Sequence, residues 1–150
     1  MDRKIIIAVA PTGGWGPGDN NPVTSEAIAR DVIACAEAGG AVVHLHARNE
    51  RGELTTDLAP FAATVASIRA SCDIILEAST GGLSTLTAAE RVLPATVPEA
   101  EMGSLNIGSL NFGDAVYQNS LPDVRFWVAE MHRLGIKPSL EIFDTGHLET

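Results

Sequence analysis

The sequence is poor in positive charge and in cysteine. Its 150 residues hold 10 Lys and Arg against 19 Asp and Glu, which gives a net charge of −9. The basic residues form no run, so the sequence argues against a nucleic-acid partner and against an anionic membrane surface, because both need clustered positive charge. Two cysteines, Cys35 and Cys72, are too few for a disulfide framework and favour a reducing, cytoplasmic location.

Long apolar runs are absent as well. The stretch Ile5–Ala10 follows two basic residues but is too short for the apolar part of a signal peptide, and it runs directly into Pro11. No other run approaches the length of a membrane span. With 45% hydrophobic and 19% charged residues, the composition is that of a globular protein, and we expect a single domain over residues 1–150.

Strand-like and helix-like segments alternate along the sequence. The predicted strands are Lys4–Ala10, Ala41–His46, Asp73–Ser79, Gly103–Ile107 and Pro138–Phe143. The predicted helices are Ser25–Ala38, Leu58–Ser71, Thr87–Val92 and Asp123–Leu134. Apolar strands that begin roughly 30 to 35 residues apart, with a helical pattern between them, indicate a parallel sheet covered by helices.

Polar residues fall at the ends of these strands and help to choose between two α/β architectures. They are His44 and His46, Ser79, Ser104 and Asn106, and Glu141. Polar groups at the end of strand after strand are typical of the mouth of a (β/α)₈ barrel, whereas a doubly wound sheet gathers its site at one switch point. The first loop, Thr12–Gly16, has neither dinucleotide-binding nor P-loop spacing. We therefore predict a (β/α)₈ TIM-barrel type fold, truncated after about five strands.

The pair His44 and His46 is the sharpest chemical feature. Side chains at positions i and i+2 of a strand share one face and lie about 6 to 7 Å apart along it, so both imidazoles can reach one metal ion. Catalytic zinc commonly takes three protein ligands and keeps one position open. The alternative is a pair of histidines that only form hydrogen bonds at the rim of the core.

Three further groups are candidates for substrate contacts. The segment Ser79–Gly82 offers hydroxyls and backbone N–H groups that can approach a ligand, although a plain turn is the alternative. Ser104 and Asn106 share a face of their strand, where internal hydrogen bonding is the alternative. Glu141 is a charged residue in an apolar strand and needs a partner if it is buried, as does Glu77. Asp114 and Arg48 are candidates for supporting contacts, and no Ser-His-Asp or thiol nucleophile pattern is present.

Four blocks of sequence resemble one family, the β-keto acid cleavage enzymes. They are Pro22–Glu26, Val43–Arg48, Ser79–Gly82 and Ser104–Gly113. The resemblance implies a (β/α)₈ barrel that forms homo-oligomers and uses catalytic Zn²⁺. It also implies the reaction of a β-keto acid, such as 3-keto-5-aminohexanoate, with acetyl-CoA to give acetoacetate and a new CoA ester.

Roles for individual residues follow from the same resemblance. It implies that His44 and His46 bind zinc, that Ser79, Gly82 and Ser104 contact the substrate, and that Glu141 lies near the site. Two departures accompany it. Trp15 stands where the family's amine-binding Glu is expected, which suggests a less cationic β-keto acid. The family's third zinc ligand, a Glu, and its neighbouring catalytic Asp fall in a region beyond Thr150.

Two other functions compete with this one. Amidohydrolase-like barrels also use a His-x-His pair, but usually on their first strand, and here the pair is on the second. The other alternative is an inactive half-barrel, whose open sheet edges and apolar surface would favour association.

Overall fold

Five parallel strands form the main sheet of this computed structural model, which describes residues 4–13, 20–82 and 85–149. The main-sheet strands are β1 (Ala8–Val9), β2 (Val42–Leu45), β3 (Ile75–Ala78), β4 (Met102–Asn106) and β7 (Lys137–Glu141), in the order β1-β2-β3-β4-β7. A separate antiparallel hairpin joins β5 (Leu110–Phe112) to β6 (Ala115–Tyr117). The helices are α1 (Ser25–Glu37), α2 (Ala59–Arg69), α3 (Ala88–Arg91) and α4 (Leu121–Leu134), with 3₁₀ turns at Leu93–Thr96 and Thr145–Glu149.

The sheet confirms the predicted alternation of strand and helix. Every pairing between its neighbours is parallel, and spatial order follows chain order, so each connection returns the chain to the same end of the sheet. Ala10, just after β1, and Glu141, on β7, line one common cavity although their strands are the two outer ones. The sheet is therefore curled, and its concave face looks into that cavity.

Local sequence explains where the helices begin and end. The side chain of Thr24 accepts a hydrogen bond from the backbone N–H of Ala27 at 3.2 Å and caps α1, as its position predicts. Gly39 ends this helix in a left-handed conformation with φ 104°. Ser120 caps α4 in the same way, and Trp127 of that helix is fully buried in the core. In the part of the chain that the structure describes, no helix is long and apolar enough to cross a membrane.

The first strand is shorter than predicted. The prediction of a buried strand over Lys4–Ala10 is wrong, because the strand covers only Ala8–Val9, and Ile5 and Ile6 are 84% and 75% exposed. The reason is that β1 is an outer strand, which pairs with β2 on one side only. β-Branched composition reports a preference for extended backbone, but pairing on both sides is needed to bury it.

The β5–β6 hairpin was not predicted. Phe112 pairs with Ala115, so Gly113 and Asp114 form a two-residue turn, and Gly113 has a φ of 63°. A Gly-Asp pair between apolar, β-forming residues is a known hairpin signal, so this element was readable from the sequence. Its effect is to bring Tyr117 over the end of the main sheet.

Candidate functional site

A cavity of about 380 Å³ lies at the carboxyl ends of the five parallel strands. Six residues predicted as site residues line it, namely His44, His46, Ser79, Gly82, Asn106 and Glu141. Glu77, Gly81, Phe112, Tyr117 and Phe143 complete much of the wall. The curled parallel sheet therefore gathers side chains from four of its strands and from the hairpin around one space.

His44 of β2 and His46, which directly follows this strand, meet at the wall of the cavity. Their Nε2 atoms lie 3.2 Å apart, and their rings are nearly perpendicular, at 73°. Strand alternation turns Leu45, which lies between them, into the core, where it is 5% exposed. The parallel register places His44 beside Glu77 of β3, and Nδ1 of His44 lies 2.6 Å from Oε1 of that carboxylate. Glu77 thus fixes the His44 ring with its Nε2 atom toward His46.

Burial and neighbouring charge determine which members of the cluster formed by His44, His46 and Glu77 are ionised. Burial, with smaller contributions from the charges of His44 and Arg48, lowers the pKa of His46 to about 3. Although burial opposes ionisation of Glu77, hydrogen bonds from His44 and Ser139 hold the pKa of its carboxyl below the ordinary value. At neutral pH the cluster therefore holds a neutral His46 and an ionised Glu77.

These groups can hold a divalent cation. His44, Glu77 and Glu141 each offer a ligand atom, and the three atoms lie within 4.8 Å of one another. A metal-binding imidazole must be neutral and commonly donates its second N–H to a carboxylate, which is the relation of His44 to Glu77. Nδ1 of His46 is buried and has no hydrogen-bond partner among the residues described. The Nε2 atoms of His44 and His46 lie close together beside this group.

The loop after β3 lines the cavity, and its backbone N–H groups donate to neighbouring side chains. The N–H of Gly81 donates to Oγ of Ser79 at 3.0 Å, and the N–H of Gly82 donates to the hydroxyl oxygen of Tyr117 at 3.1 Å. Gly82 has a φ of 125°, a conformation that residues with a side chain rarely adopt. A Cβ atom on Gly81 would lie 2.5 Å from the Tyr117 hydroxyl oxygen, so the hairpin packs directly on glycine backbone.

Asn106 and Glu141 form the opposite wall. The side-chain amide of Asn106 donates to the Glu141 carboxylate and to the Tyr117 hydroxyl oxygen, the latter at 3.2 Å. Burial raises the pKa of the Glu141 carboxyl, an effect that the nearby His44 and the hydrogen bond from Asn106 oppose. Oδ1 of Asn106 is buried and has no partner within the described ranges. This wall therefore has an acceptor that a ligand can use.

Ser104, for which the resemblance implies a substrate contact, forms its hydrogen bonds within the protein. It is fully buried and does not line the cavity. Its Oγ accepts from the backbone N–H of Thr80 at 3.1 Å, and its carbonyl accepts from the Thr80 hydroxyl at 2.7 Å. Ser104 precedes Asn106 by two residues on β4, and its hydroxyl joins the end of β3 to β4.

Arg48 and Asp114, the two candidates for supporting contacts, lie in different surroundings. Arg48 is buried and donates to the carbonyls of Gly52 and Gly13, which ties the loops after β1 and β2 together. Asp114 is exposed in the hairpin turn and does not line the cavity. Trp15, where the family's amine-binding Glu is expected, lies outside the described residues.

Sequence reasoning missed Arg91 and Tyr117. Arg91 donates to the carbonyls of Thr80 (2.7 Å) and Gln118 (2.8 Å), to Oδ1 of Asn119 (2.7 Å) and to the Tyr117 hydroxyl oxygen (3.2 Å). Its guanidinium carbon also lies 4.3 Å from the centre of the Trp127 ring. An arginine at the end of a short helix gives no sequence signal for this role, whereas the Gly-Asp hairpin turn could have pointed to Tyr117.

The amino-acid sequence places this chain in a known protein family. The profile of the beta-keto acid cleavage enzyme family matches residues 4–150, so the chain belongs to that family. It is 34% identical over 154 residues to a 3-keto-5-aminohexanoate cleavage enzyme of Fusobacterium nucleatum, covering 99% of this chain and 56% of that protein.

Other relatives carry the names of different substrates. The chain is 33% identical over 174 residues to a 3,5-dioxohexanoate:acetyl-CoA acetone transferase of Paraburkholderia graminis, covering 97% of this chain and 56% of that protein. It is 36% identical over 149 residues to a 3-oxoadipate:acetyl-CoA acetyltransferase of Cupriavidus necator, covering 96% and 51%. The chain thus spans about half the length of the curated relatives it matches.

Proposed function

We propose that this chain forms the first strands of a zinc-dependent (β/α)₈ barrel enzyme that cleaves a β-keto acid. The proposed reaction joins a β-keto acid and acetyl-CoA and yields acetoacetate and a new acyl-CoA. Family membership supports the carbon–carbon cleavage, and acetyl-CoA is part of the names of two relatives. The curled sheet of five parallel strands, with polar residues at its carboxyl ends, is consistent with part of such a barrel.

The observation that carries the proposal is the convergence of His44 and His46. Zinc–nitrogen bonds of about 2.0–2.1 Å in a tetrahedral site place two nitrogen ligands about 3.3 Å apart. The two Nε2 atoms are 3.2 Å apart before any ion is considered. The neutral His46 and the Glu77 carboxylate behind His44 suit the same role, so the residues present fit a zinc ion.

We assign the metal to His44 and His46, with Glu77 orienting His44. When bound, zinc would act as a Lewis acid toward the keto acid's oxygens and so favour enolate character. Glu141 offers a carboxylate in the same cluster, and the Asn106 amide donates a hydrogen bond that holds it in place. Burial raises the pKa of Glu141 against that hydrogen bond, which suits a group that contacts substrate and holds a proton at Oε.

The substrate contacts proposed for Ser79, Gly82, Asn106 and Glu141 follow from their positions on the cavity wall. The Ser79 hydroxyl and the Gly82 loop would hold the carboxylate end of the keto acid. Asn106 would keep Glu141 in place and offer its unpaired Oδ1 to a ligand hydrogen. Ser104 would act one step removed, by fixing Thr80 at the base of this loop.

The proposal extends to the keto acid, the cell compartment and the assembly. With Trp15 in place of an acidic residue, we propose a β-keto acid without an amino group. We also propose a cytoplasmic protein that forms homo-oligomers. Apolar side chains exposed on and after the outer strand β7, such as Leu140 at 58% and Phe143 at 57%, support burial against further polypeptide.

Zinc analysis of matched histidine variants tests the proposal. The wild-type protein is expected to bind one zinc ion per chain at neutral pH and to form acetoacetate from a β-keto acid and acetyl-CoA. His46→Ala is expected to lose the zinc and at least 100-fold of that activity, because it removes a ligand. His132→Ala, an exposed histidine on α4, is the control and should change neither. Zinc content that is unchanged in His46→Ala would contradict the assigned ligand.

A further inference from the structure

The hydroxyl group of Tyr117 is surrounded by hydrogen-bond donors. The backbone N–H of Gly82, the side-chain amide of Asn106 and the guanidinium of Arg91 approach its oxygen at 3.1, 3.2 and 3.2 Å. Each of these nitrogen groups donates and cannot accept. The lone pairs of the phenol oxygen are therefore fully used by the protein.

This arrangement leaves the hydroxyl hydrogen of Tyr117 without an acceptor among the residues that the structure describes. Burial raises the pKa of the phenol, and Arg91 and Gly82 oppose the shift without reversing it, so the group keeps its hydrogen at neutral pH. A buried hydroxyl normally donates to some acceptor, because an unused donor in a dry site costs free energy. None of the described residues supplies this acceptor.

The cavity is where that acceptor can lie. Tyr117 lines it together with Gly81, Gly82 and Asn106, which surround the hydroxyl. Asn106 also joins the hydroxyl to the Glu141 carboxylate, so Tyr117 belongs to the same wall as the proposed substrate contacts. Gly81 has no side chain that could cover the hydroxyl, since a Cβ atom there would lie 2.5 Å from its oxygen.

We propose that the Tyr117 hydroxyl donates a hydrogen bond to a carbonyl or enolate oxygen of the bound β-keto acid. Three fixed N–H groups hold the phenol in place, so no rearrangement is needed when charge develops on that oxygen. Arg91 strengthens the donor because its positive charge lies close to the phenol oxygen and withdraws electron density from the O–H bond. The inference rests on the proposed function for its ligand, but on the hairpin and the β3 loop for its geometry.

Removal of the single oxygen atom tests the role. In Tyr117→Phe the ring remains and the hydroxyl is lost. We expect kcat for acetoacetate formation to fall about 100-fold, the usual effect of deleting one donor to a developing oxyanion, with a smaller change in KM. Acetoacetate binding to the resting protein, measured by calorimetry, should weaken about tenfold. Val116→Ala is the control, because Val116 is the neighbouring residue of β6 and is 57% exposed.

A second measurement covers the case in which Tyr117→Phe folds poorly. Fluorotyrosine incorporated at position 117 keeps the shape of the side chain, and its ¹⁹F resonance reports on the hydroxyl. We expect the resonance to shift when acetoacetate is added, and the high-pH limb of kcat to move to lower pH because fluorination lowers the phenol pKa. Acetoacetate binding without any change in the resonance would overturn the donor role.

The outcomes separate the two proposals. If the wild-type protein binds and forms acetoacetate and Tyr117→Phe does so equally well, the role of Tyr117 is wrong and the proposed function stands. If the wild-type protein neither binds acetoacetate nor forms it, the proposed function is wrong, and the donor role toward a β-keto acid fails with it. A loss confined to Tyr117→Phe, with Val116→Ala unchanged, supports both.

Discussion

Arg91 should be the residue that joins the β3 loop, the hairpin and α4, and Arg91→Lys tests this. Its planar guanidinium donates four hydrogen bonds, to groups of Thr80, Tyr117, Gln118 and Asn119. Lysine keeps the positive charge but has one compact ammonium group. That group cannot reach all the acceptors that surround the planar guanidinium. We therefore expect the hairpin to be attached less firmly to the β3 loop, although the Gly82–Tyr117 hydrogen bond remains.

The expected loss of stability follows from the acceptors involved. Thr80 and Asn119 are each 1% exposed, so the carbonyl and side-chain oxygens that Arg91 binds there have little access to water, whereas Gln118 is exposed and counts for little. Losing two buried hydrogen bonds at about 1–1.5 kcal/mol each gives about 2–3 kcal/mol in the free energy of unfolding. That is a large share of the total for a domain of this size.

Urea unfolding followed by circular dichroism measures this difference. Arg125→Lys, an exposed arginine on α4, is the matched control and should change the free energy of unfolding by no more than about 0.5 kcal/mol. If Arg91→Lys falls within that same range, Arg91 is not the connection described here, and its four hydrogen bonds contribute no more than surface contacts.

Two further predictions concern the same region. Tyr117 should titrate above the ordinary tyrosine pKa of about 10 in the folded protein, which tyrosinate absorbance measures against the urea-unfolded chain. Above pH 10 the folded state then keeps a proton that the unfolded state has lost. The stability that this group contributes is therefore complete below pH 10 and is lost as pH rises through the folded pKa. A folded pKa at or below 10 would contradict the burial of Tyr117. Gly108→Ala should cost about 2 kcal/mol in thermal or urea unfolding, because its Cβ would overlap the buried His147 ring. Gly13→Ala, with nothing near its Cβ, is the control, and equal stability of the two variants would show that the His147 turn moves freely.

Much of the fold was open to prediction because its signals are local. Thr24 before α1, Gly39 after it and the apolar spacing of Ile28 and Val32 identify a helix without reference to the rest of the chain. Strand alternation likewise places His44 and His46 on one face. Alternation predicts that the two rings point the same way, but it does not predict the distance between their nitrogen atoms. The error at β1 has the opposite cause, because burial of Ile5 and Ile6 depends on a neighbouring strand, which the sequence of β1 does not contain.

Ser104 shows that strand alternation predicts the face of a residue but not whether that residue reaches the cavity. The pattern correctly places Ser104 and Asn106 on the same face of β4, but only Asn106 reaches the cavity. Whether a residue near the end of a strand reaches the cavity depends on where the adjacent strand ends. Here β3 is followed by a loop in which the backbone N–H of Thr80 donates to the Ser104 hydroxyl oxygen. Residue type and spacing do not contain that information.

By itself, the sequence determined the α/β class, the family and the pair His44 and His46, because each depends on spacing within one segment or on order along the chain. Tertiary structure decided which atoms meet. The contact of His44 with Glu77 joins residues 33 apart, and that of Gly82 with Tyr117 joins residues 35 apart. Such contacts depend on strand register and on the seating of the hairpin, which form only when the curled sheet closes its core. The sequence therefore singled out the two histidines, and the fold alone showed that Tyr117 lines the same cavity.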